Sequence, residues 1–205
     1  MSDVPKASDA DVRRRSFELV DTIAHSALSR MESLIHGMAP EKRDDKWQEQ
    51  FQELARLIDY MGNQLFFSSG AFDRTNSAKS LDENARRTFW QESQKAMSTL
   101  AKVAIPSVAH HLIETLESFI SFAPADVFHA IANVVKSASN WGYQYESLAV
   151  DLLVKVTERY LAEERMTLQQ DIRCREELID ILETFVNAGW PSARRLSYRL
   201  EEISR

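Results

Sequence analysis

The residues best suited to chemistry are two adjacent histidines and a glutamate near the middle of the chain. His110 and Glu114 are four residues apart and therefore share one face of a helix, with His111 beside them. Imidazole nitrogen and carboxylate oxygen both bind zinc, so these three residues are candidate metal ligands. The sequence lacks the His-Glu-x-x-His motif of metalloproteases and the paired Glu-x-x-His motifs of di-iron bundles. We therefore favour a solvated helix face with one partly packed histidine, and a metal-dependent enzyme is an alternative.

A second acidic group, Asp44, Asp45 and Glu49, is similar to a metal-binding motif. Its simpler interpretation is negative charge in the first turn of a predicted helix, where the helix dipole favours carboxylates. The other histidines have no matching carboxylate cluster that the sequence places on an adjacent helix. We therefore predict that they are structural: His25, His36 and His129.

Cys174 is the only cysteine, which excludes an internal disulfide and a zinc site built on several cysteines. It lies four residues before Leu178 on an apolar stripe, so a buried, inert thiol is predicted. The sequence also has no glycine-rich phosphate loop, no Gly-x-Ser-x-Gly elbow and no dinucleotide fingerprint. These observations predict a protein that is not an enzyme and that needs no cofactor.

A basic cluster near the end of the chain is one candidate for contact with a partner. Arg195 and Arg199 are four residues apart on one helix face, with Arg194 beside them, and such a face suits phosphate or an acidic surface. Alternatively, Glu201 and Glu202 balance these charges and the face is only solvated. The net charge of −6 is opposite to that of an autonomous nucleic-acid binder.

Large aromatic residues at predicted helix corners are the other candidates for partner contact. Trp141 and Tyr143 lie at one corner, and Trp190 precedes Pro191 at another. Such rings either close the end of a core or anchor a partner, and we favour the first role.

The elements that must position these residues are helices. Five glycines and five prolines in 205 residues are too few for a β-sandwich or barrel, and the prolines precede helix-periodic runs. In the first two runs the apolar residues recur every three or four positions, from near Ser8 to His36 and from near Glu41 to about Phe67. Since their connection is short, residues 1–67 are predicted to form a long antiparallel helical hairpin.

The rest of the chain is predicted to form shorter helices after a loop at residues 68–80. Ser80 and Glu83 have the spacing of a capping box, which opens a third helix ending at about Ala104. The sequence then predicts helices at Pro106–Phe122, Pro124–Ser139, Tyr143–Glu164, Leu168–Ala188 and Pro191–Ile203. About eight helices, each with one apolar face, predict an all-α fold. Residues 81–205 would form stacked antiparallel pairs, either an α-solenoid or a compact bundle, and could continue residues 1–67 as one domain.

Two stretches carry a resemblance to known helical proteins: Gly142 to Glu146 (GYQYE) and Phe185 to Leu196 (FVNAGWPSARRL). Both are similar to HEAT-like helical repeats. About the last 80 residues also resemble the helical tails of large bacterial NTPases from anti-phage defence systems. The resemblance implies a bacterial protein with a surface that senses or binds a partner.

The sequence as a whole predicts a non-catalytic helical scaffold or regulatory module that binds another protein or a second copy of itself. A nucleic-acid-associated module that uses the C-terminal basic face is the alternative. No apolar stretch approaches the roughly 18 residues of a membrane span, so no membrane contact is expected. We predict a cytoplasmic protein, because the single cysteine is typical of a reducing compartment.

Overall fold

The computed structural model describes residues 9–70, 82–103, 105–140, 147–187 and 189–198. This part of the chain contains a short 3-10 turn at Pro40–Lys42, helices and no strand, so the all-α prediction is confirmed. Its helices are α1 (Asp9–His36), α2 (Asp45–Ser68), α3 (Glu83–Lys102), α4 (Pro106–Glu117), α5 (Pro124–Asn140), α6 (Ser147–Glu163), α7 (Arg165–Gln170), α8 (Ile172–Asn187) and α9 (Pro191–Ser197).

Aspartates cap the N-termini of α2 and α3. The carboxylate of Asp44 accepts a hydrogen bond of 2.9 Å from the backbone N–H of Trp47, which satisfies one exposed donor of α2. The carboxylate of Asp82 does the same for Ala85 at 2.7 Å in α3. The N-cap of α3 is therefore Asp82, and the predicted cap Ser80 lies outside the described residues. Aspartate replaces serine well here because its charge also complements the helix dipole.

The predicted helix Leu168–Ala188 is interrupted, because α7 ends at Gln170 and α8 begins at Ile172. Asp171 lies at the break, with its backbone extended and its Oδ1 accepting from the backbone N–H groups of Arg173 (2.9 Å) and Cys174 (3.1 Å). An aspartate that bonds forward to the backbone competes with helix continuation, which explains the break. The new helix start fixes the position of Cys174 relative to the core.

The first five helices form a closed ring of helix–helix contacts. α1 packs on α2 and α3, α2 packs on α4, α3 packs on α5, and α4 packs on α5. The indole Nε1–H of Trp47 donates to the carbonyl of Leu34 at 2.8 Å, which joins the end of α1 to the start of α2. At Gly62, an added Cβ would meet a methyl group of Val108 at 2.5 Å, so α2 and α4 approach closely only because this residue is glycine.

A second ring shares α4 and α5 with the first. α6 packs on α4, α8 packs on α5, and both α6 and α8 contact α7 and α9. A single apolar core runs through both rings, and Phe119 lies fully buried within it, against Phe89 and Trp90. This closed packing is that of a compact bundle. None of the helices in the described part of the chain has the length and apolar character of a membrane span.

Candidate functional site

The structure places the predicted metal candidates on α4 but turns them toward different neighbours. Nε2 of His110 lies 3.7 Å from Oε2 of Glu114. The Nδ1–H of His111 donates to Oδ1 of Asn63 at 2.8 Å, and its ring stacks on Phe66 at 4.6 Å between centroids. His111 therefore packs against α2, away from a site shared with His110 and Glu114. Within the described residues, these three do not form a group with ligand atoms within 4.8 Å of one another.

The predicted partner residues at the C-terminal end are only partly described. Trp190 is half-buried and packs against the core before α9, and its backbone N–H donates to the carbonyl of Phe185 at 3.0 Å. Arg194 and Arg195 are exposed on α9, while Trp141, Tyr143 and Arg199 lie outside the described residues. Trp190 thus packs against the core from the segment that precedes α9.

A polar cluster that the sequence did not predict joins α5 to the break between α7 and α8. The Nδ1–H of His129 donates to Oε2 of Glu177 at 2.5 Å, and its Nε2 lies 3.6 Å from Oδ2 of Asp171. Sγ of Cys174 lies 4.0 Å from each ring nitrogen. His129, Asp171 and Cys174 are a group of potential ligands with ligand atoms all within 4.8 Å of one another.

Sequence reasoning missed this cluster because its members meet only through the packing of α5 on α8. His129 precedes its partners by more than 40 residues, and nothing near it in sequence predicts them. One signal was available: Asp171, Cys174 and Glu177 are spaced three residues apart, so they share one face from the start of a helix. That face meets α5 only because a new helix starts after Asp171.

The electrostatics of the cluster favour a protonated thiol and an ionised aspartate. Burial raises the pKa of the Cys174 thiol to about 12, and the charges of Asp171 and Glu177 add to this effect. The backbone N–H of Cys174 lowers the pKa of Asp171, against a smaller effect of burial, and the charge of His129 adds to the lowering. Activated cysteines have depressed pKa values, so this thiol is not prepared to act as a nucleophile.

A different surface feature lies on the outside of α1 and α2. Five large apolar side chains are 38 to 62% exposed there: Val12, Leu19, Leu57, Tyr60 and Phe67. On α1 two of them are seven residues apart, and on α2 the spacings are three and seven, so each set follows one helix face. We name this set of five side chains the outer face.

A groove of about 540 Å³ runs between the two helices beside the outer face. Leu57 lines it from α2, together with Glu53, and Arg30 lines it from α1. Arg30 follows Leu19 by eleven residues, which is three helical turns, so the apolar line on α1 leads into the same groove. Leu57 is the member of the outer face that lines this groove.

Comparison of the chain with profiles of protein families, with curated proteins and with solved structures gives no match.

Proposed function

We propose that the protein is a non-catalytic helical interaction module that binds a protein partner through the outer face of α1 and α2. The observation that carries this proposal is the exposure of Leu57, Tyr60 and Phe67 along one face of α2, on the helix that packs against α1. Single exposed apolar residues are common on soluble proteins, but a line of them on neighbouring helices favours an interface.

The chemistry of the adjoining groove indicates the kind of partner. Its apolar residues, Leu34, Leu54 and Leu57, are flanked by Arg30 and Glu53. An apolar centre with charges of both signs at its edge suits an amphipathic helix that lays its apolar side between α1 and α2. Tyr60, at 62% exposure, is of the residue type that most often contributes strongly to binding.

A non-catalytic role is supported by how the ionisable residues are arranged. His111 is engaged by Asn63, and His129 is held between two carboxylates. Burial keeps the Cys174 thiol protonated, as its raised pKa indicates. These contacts hold the helices together, which is the ordinary role of such pairs. The resemblance of the C-terminal stretch to partner-sensing helical tails agrees with the same class of function.

A nucleic-acid-associated role is a second candidate, supported by one observation at the C-terminal end. Tyr198 is 74% exposed next to the exposed Arg194 and Arg195, and an aromatic ring with cations can stack on a base and contact phosphate. Binding of this kind weakens steeply with salt, and an Arg194→Ala/Arg195→Ala variant would reduce that dependence.

The proposed interface is tested by comparing variants at two exposed apolar surfaces. Leu57→Lys/Tyr60→Lys places charge on the outer face, and Met166→Lys/Ile179→Lys places the same charge at exposed residues of α7 and α8. Each chain, tagged, is used to purify its partner from the cells that produce it, and the recovered protein is quantified by mass spectrometry. Self-association is measured in parallel by light scattering.

We expect the outer-face variant to lose at least about tenfold of the recovered partner, or of its dimer, because buried aromatic anchors dominate binding. The control variant should bind like the natural chain, and circular dichroism should show both variants folded. Equal recovery with both variants, or a natural chain that is monomeric and recovers no partner, would contradict the proposal.

A further inference from the structure

We propose that His129, Asp171 and Cys174 form a zinc-binding site that connects α5 to the start of α8. This inference is independent of the outer face, because it concerns other helices and a different chemistry. It starts from the ligand atoms of the three side chains, which lie within 4.8 Å of one another.

The donor set and its spacing suit zinc. Zinc binds imidazole nitrogen, thiolate sulfur and carboxylate oxygen, and two ligands of one tetrahedral ion lie about 3.3 to 3.8 Å apart, given bonds of about 2.0 to 2.3 Å. Nε2 of His129 and Oδ2 of Asp171 are 3.6 Å apart, within that range. Sγ of Cys174, at 4.0 Å from both ring nitrogens, must shift toward Nε2 to complete the set.

Glu177 prepares the histidine for this role. Its Oε2 accepts the Nδ1–H of His129, which leaves Nε2 without a proton in the neutral ring and facing Asp171. A histidine that binds a metal through one nitrogen usually donates its other N–H to such a carboxylate. Arg173 donates to the other oxygen of Glu177 at 2.9 Å and so fixes the orientation of that carboxylate.

The carboxylates at the site favour a bound cation. Asp171 and Glu177 place negative charge near the thiol and contribute to the raised pKa of Cys174, and Arg173, which pairs with Glu177, partly offsets them. A bound divalent ion reverses this effect, since coordination to the metal removes the thiol proton. Zinc binding therefore releases a proton, and its affinity should rise with pH.

Open grooves on two sides give a hydrated ion access to the site. His129 lines a groove of about 650 Å³, and Asp171 lines another of about 580 Å³. Asp126 and Arg173 line both grooves, so a carboxylate and a guanidinium offset each other along the route. Three protein ligands leave the fourth position of a tetrahedral ion to a water molecule from these grooves.

The proposal is tested with Co²⁺, which occupies zinc sites and is visible by absorption. The full chain is treated with a chelator, desalted and titrated with Co²⁺, and then Zn²⁺ is added. We expect one Co²⁺ per chain, a thiolate-to-cobalt charge-transfer band in the near ultraviolet, and loss of that band as Zn²⁺ displaces the cobalt.

Two variants and a control assign the ligands. Cys174→Ser should abolish the charge-transfer band, and Asp171→Asn should weaken binding at least about tenfold while it retains a side chain that caps α8. His110→Ala, which removes a histidine of the predicted α4 group, should bind like the natural chain. Circular dichroism shows whether each variant is folded. If Cys174→Ser does not fold, the binding affinity of Asp171→Asn provides the test instead.

The proposal fails if the folded natural chain gives no charge-transfer band with Co²⁺. It also fails if Cys174→Ser keeps the band, if folded Asp171→Asn binds Co²⁺ as tightly as the natural chain, or if His110→Ala alone removes binding.

Discussion

Two polar clusters lie between helices that are far apart in sequence, and they differ in their balance of donors and acceptors. Asp21 on α1 is 5% exposed and receives a hydrogen bond of 2.6 Å from the hydroxyl of Thr99 on α3. Its other oxygen lies 2.9 Å from Nζ of Lys95. At the second cluster, a single imidazole, that of His129, faces two carboxylates and a thiol.

The difference indicates which cluster is closed and which can accept a ligand. Burial alone would raise the pKa of Asp21, but the hydrogen bonds of Thr99 and Lys95 and the charge of Lys95 outweigh it, so the pKa is lowered. Its negative charge is thus satisfied within the chain. In the cluster around His129, Arg173 pairs with one oxygen of Glu177, and the imidazole of His129 lies between Glu177 and Asp171. The Cys174 thiol beside them keeps its proton, which a bound divalent cation would replace.

The largest effect that this comparison predicts is the protection of the Cys174 thiol in the metal-free protein. Burial raises its pKa from 9.0 to about 12, so the thiolate fraction at neutral pH falls about 1,000-fold. The side chain is also fully buried, so reaction requires local opening. We expect iodoacetamide to label Cys174 about 100- to 10,000-fold more slowly in the folded chain than in urea. Labelling at similar rates would show that burial does not suppress ionisation of this thiol.

The next effect is the loss of stability when the closed cluster is broken. Asp21→Ala removes the charged acceptor of the Thr99 hydroxyl and leaves it only the longer contact of 3.3 Å with Nε2 of His25, and a hydrogen bond to a charged group contributes about 1.5 to 3 kcal/mol. We expect the free energy of unfolding, measured by urea titration, to fall by about 2 to 3 kcal/mol. Arg13→Ala is the matched control, because the exposed pair of Arg13 and Glu92 also joins α1 to α3. The Arg13→Ala variant should lower the free energy of unfolding by at most about 1 kcal/mol.

The same variant has a defined pH dependence. A carboxylate with a lowered pKa stabilises the fold above its unfolded pKa, and this contribution is lost as pH falls through the folded value. The difference in stability between the natural chain and Asp21→Ala should therefore shrink below about pH 4, where the carboxylate gains its proton. A difference that instead grew below about pH 4 would show that Asp21 is protonated in the fold.

The sequence predicts the helices better than it predicts these clusters. The apolar spacing of α1, with Phe17, Ala24 and Met31 on one face, marks residues that are buried in the fold. By contrast, the break at Asp171 depends on a competition between its side chain and helix continuation, which periodicity does not register. The partners of His129 depend on the packing of α5 on α8, so local sequence does not contain them. Only the three-residue spacing from Asp171 to Glu177 hinted at a shared face.

The smallest predicted effect separates two roles of Asp171 in the metal-free protein: it caps α8, and it places a negative charge opposite His129. As the residue before α8 it accepts two backbone N–H groups, and asparagine replaces aspartate well in that position whereas alanine does not. We expect Asp171→Ala to lower Tm by about 2 to 4 °C and Asp171→Asn by less than about 1 °C. If both variants lowered Tm equally, the negative charge facing His129 would itself stabilise the fold, as it does at Asp21. A clear difference between them would show that capping of α8, rather than the negative charge, is the main contribution of Asp171 to the stability of the metal-free fold.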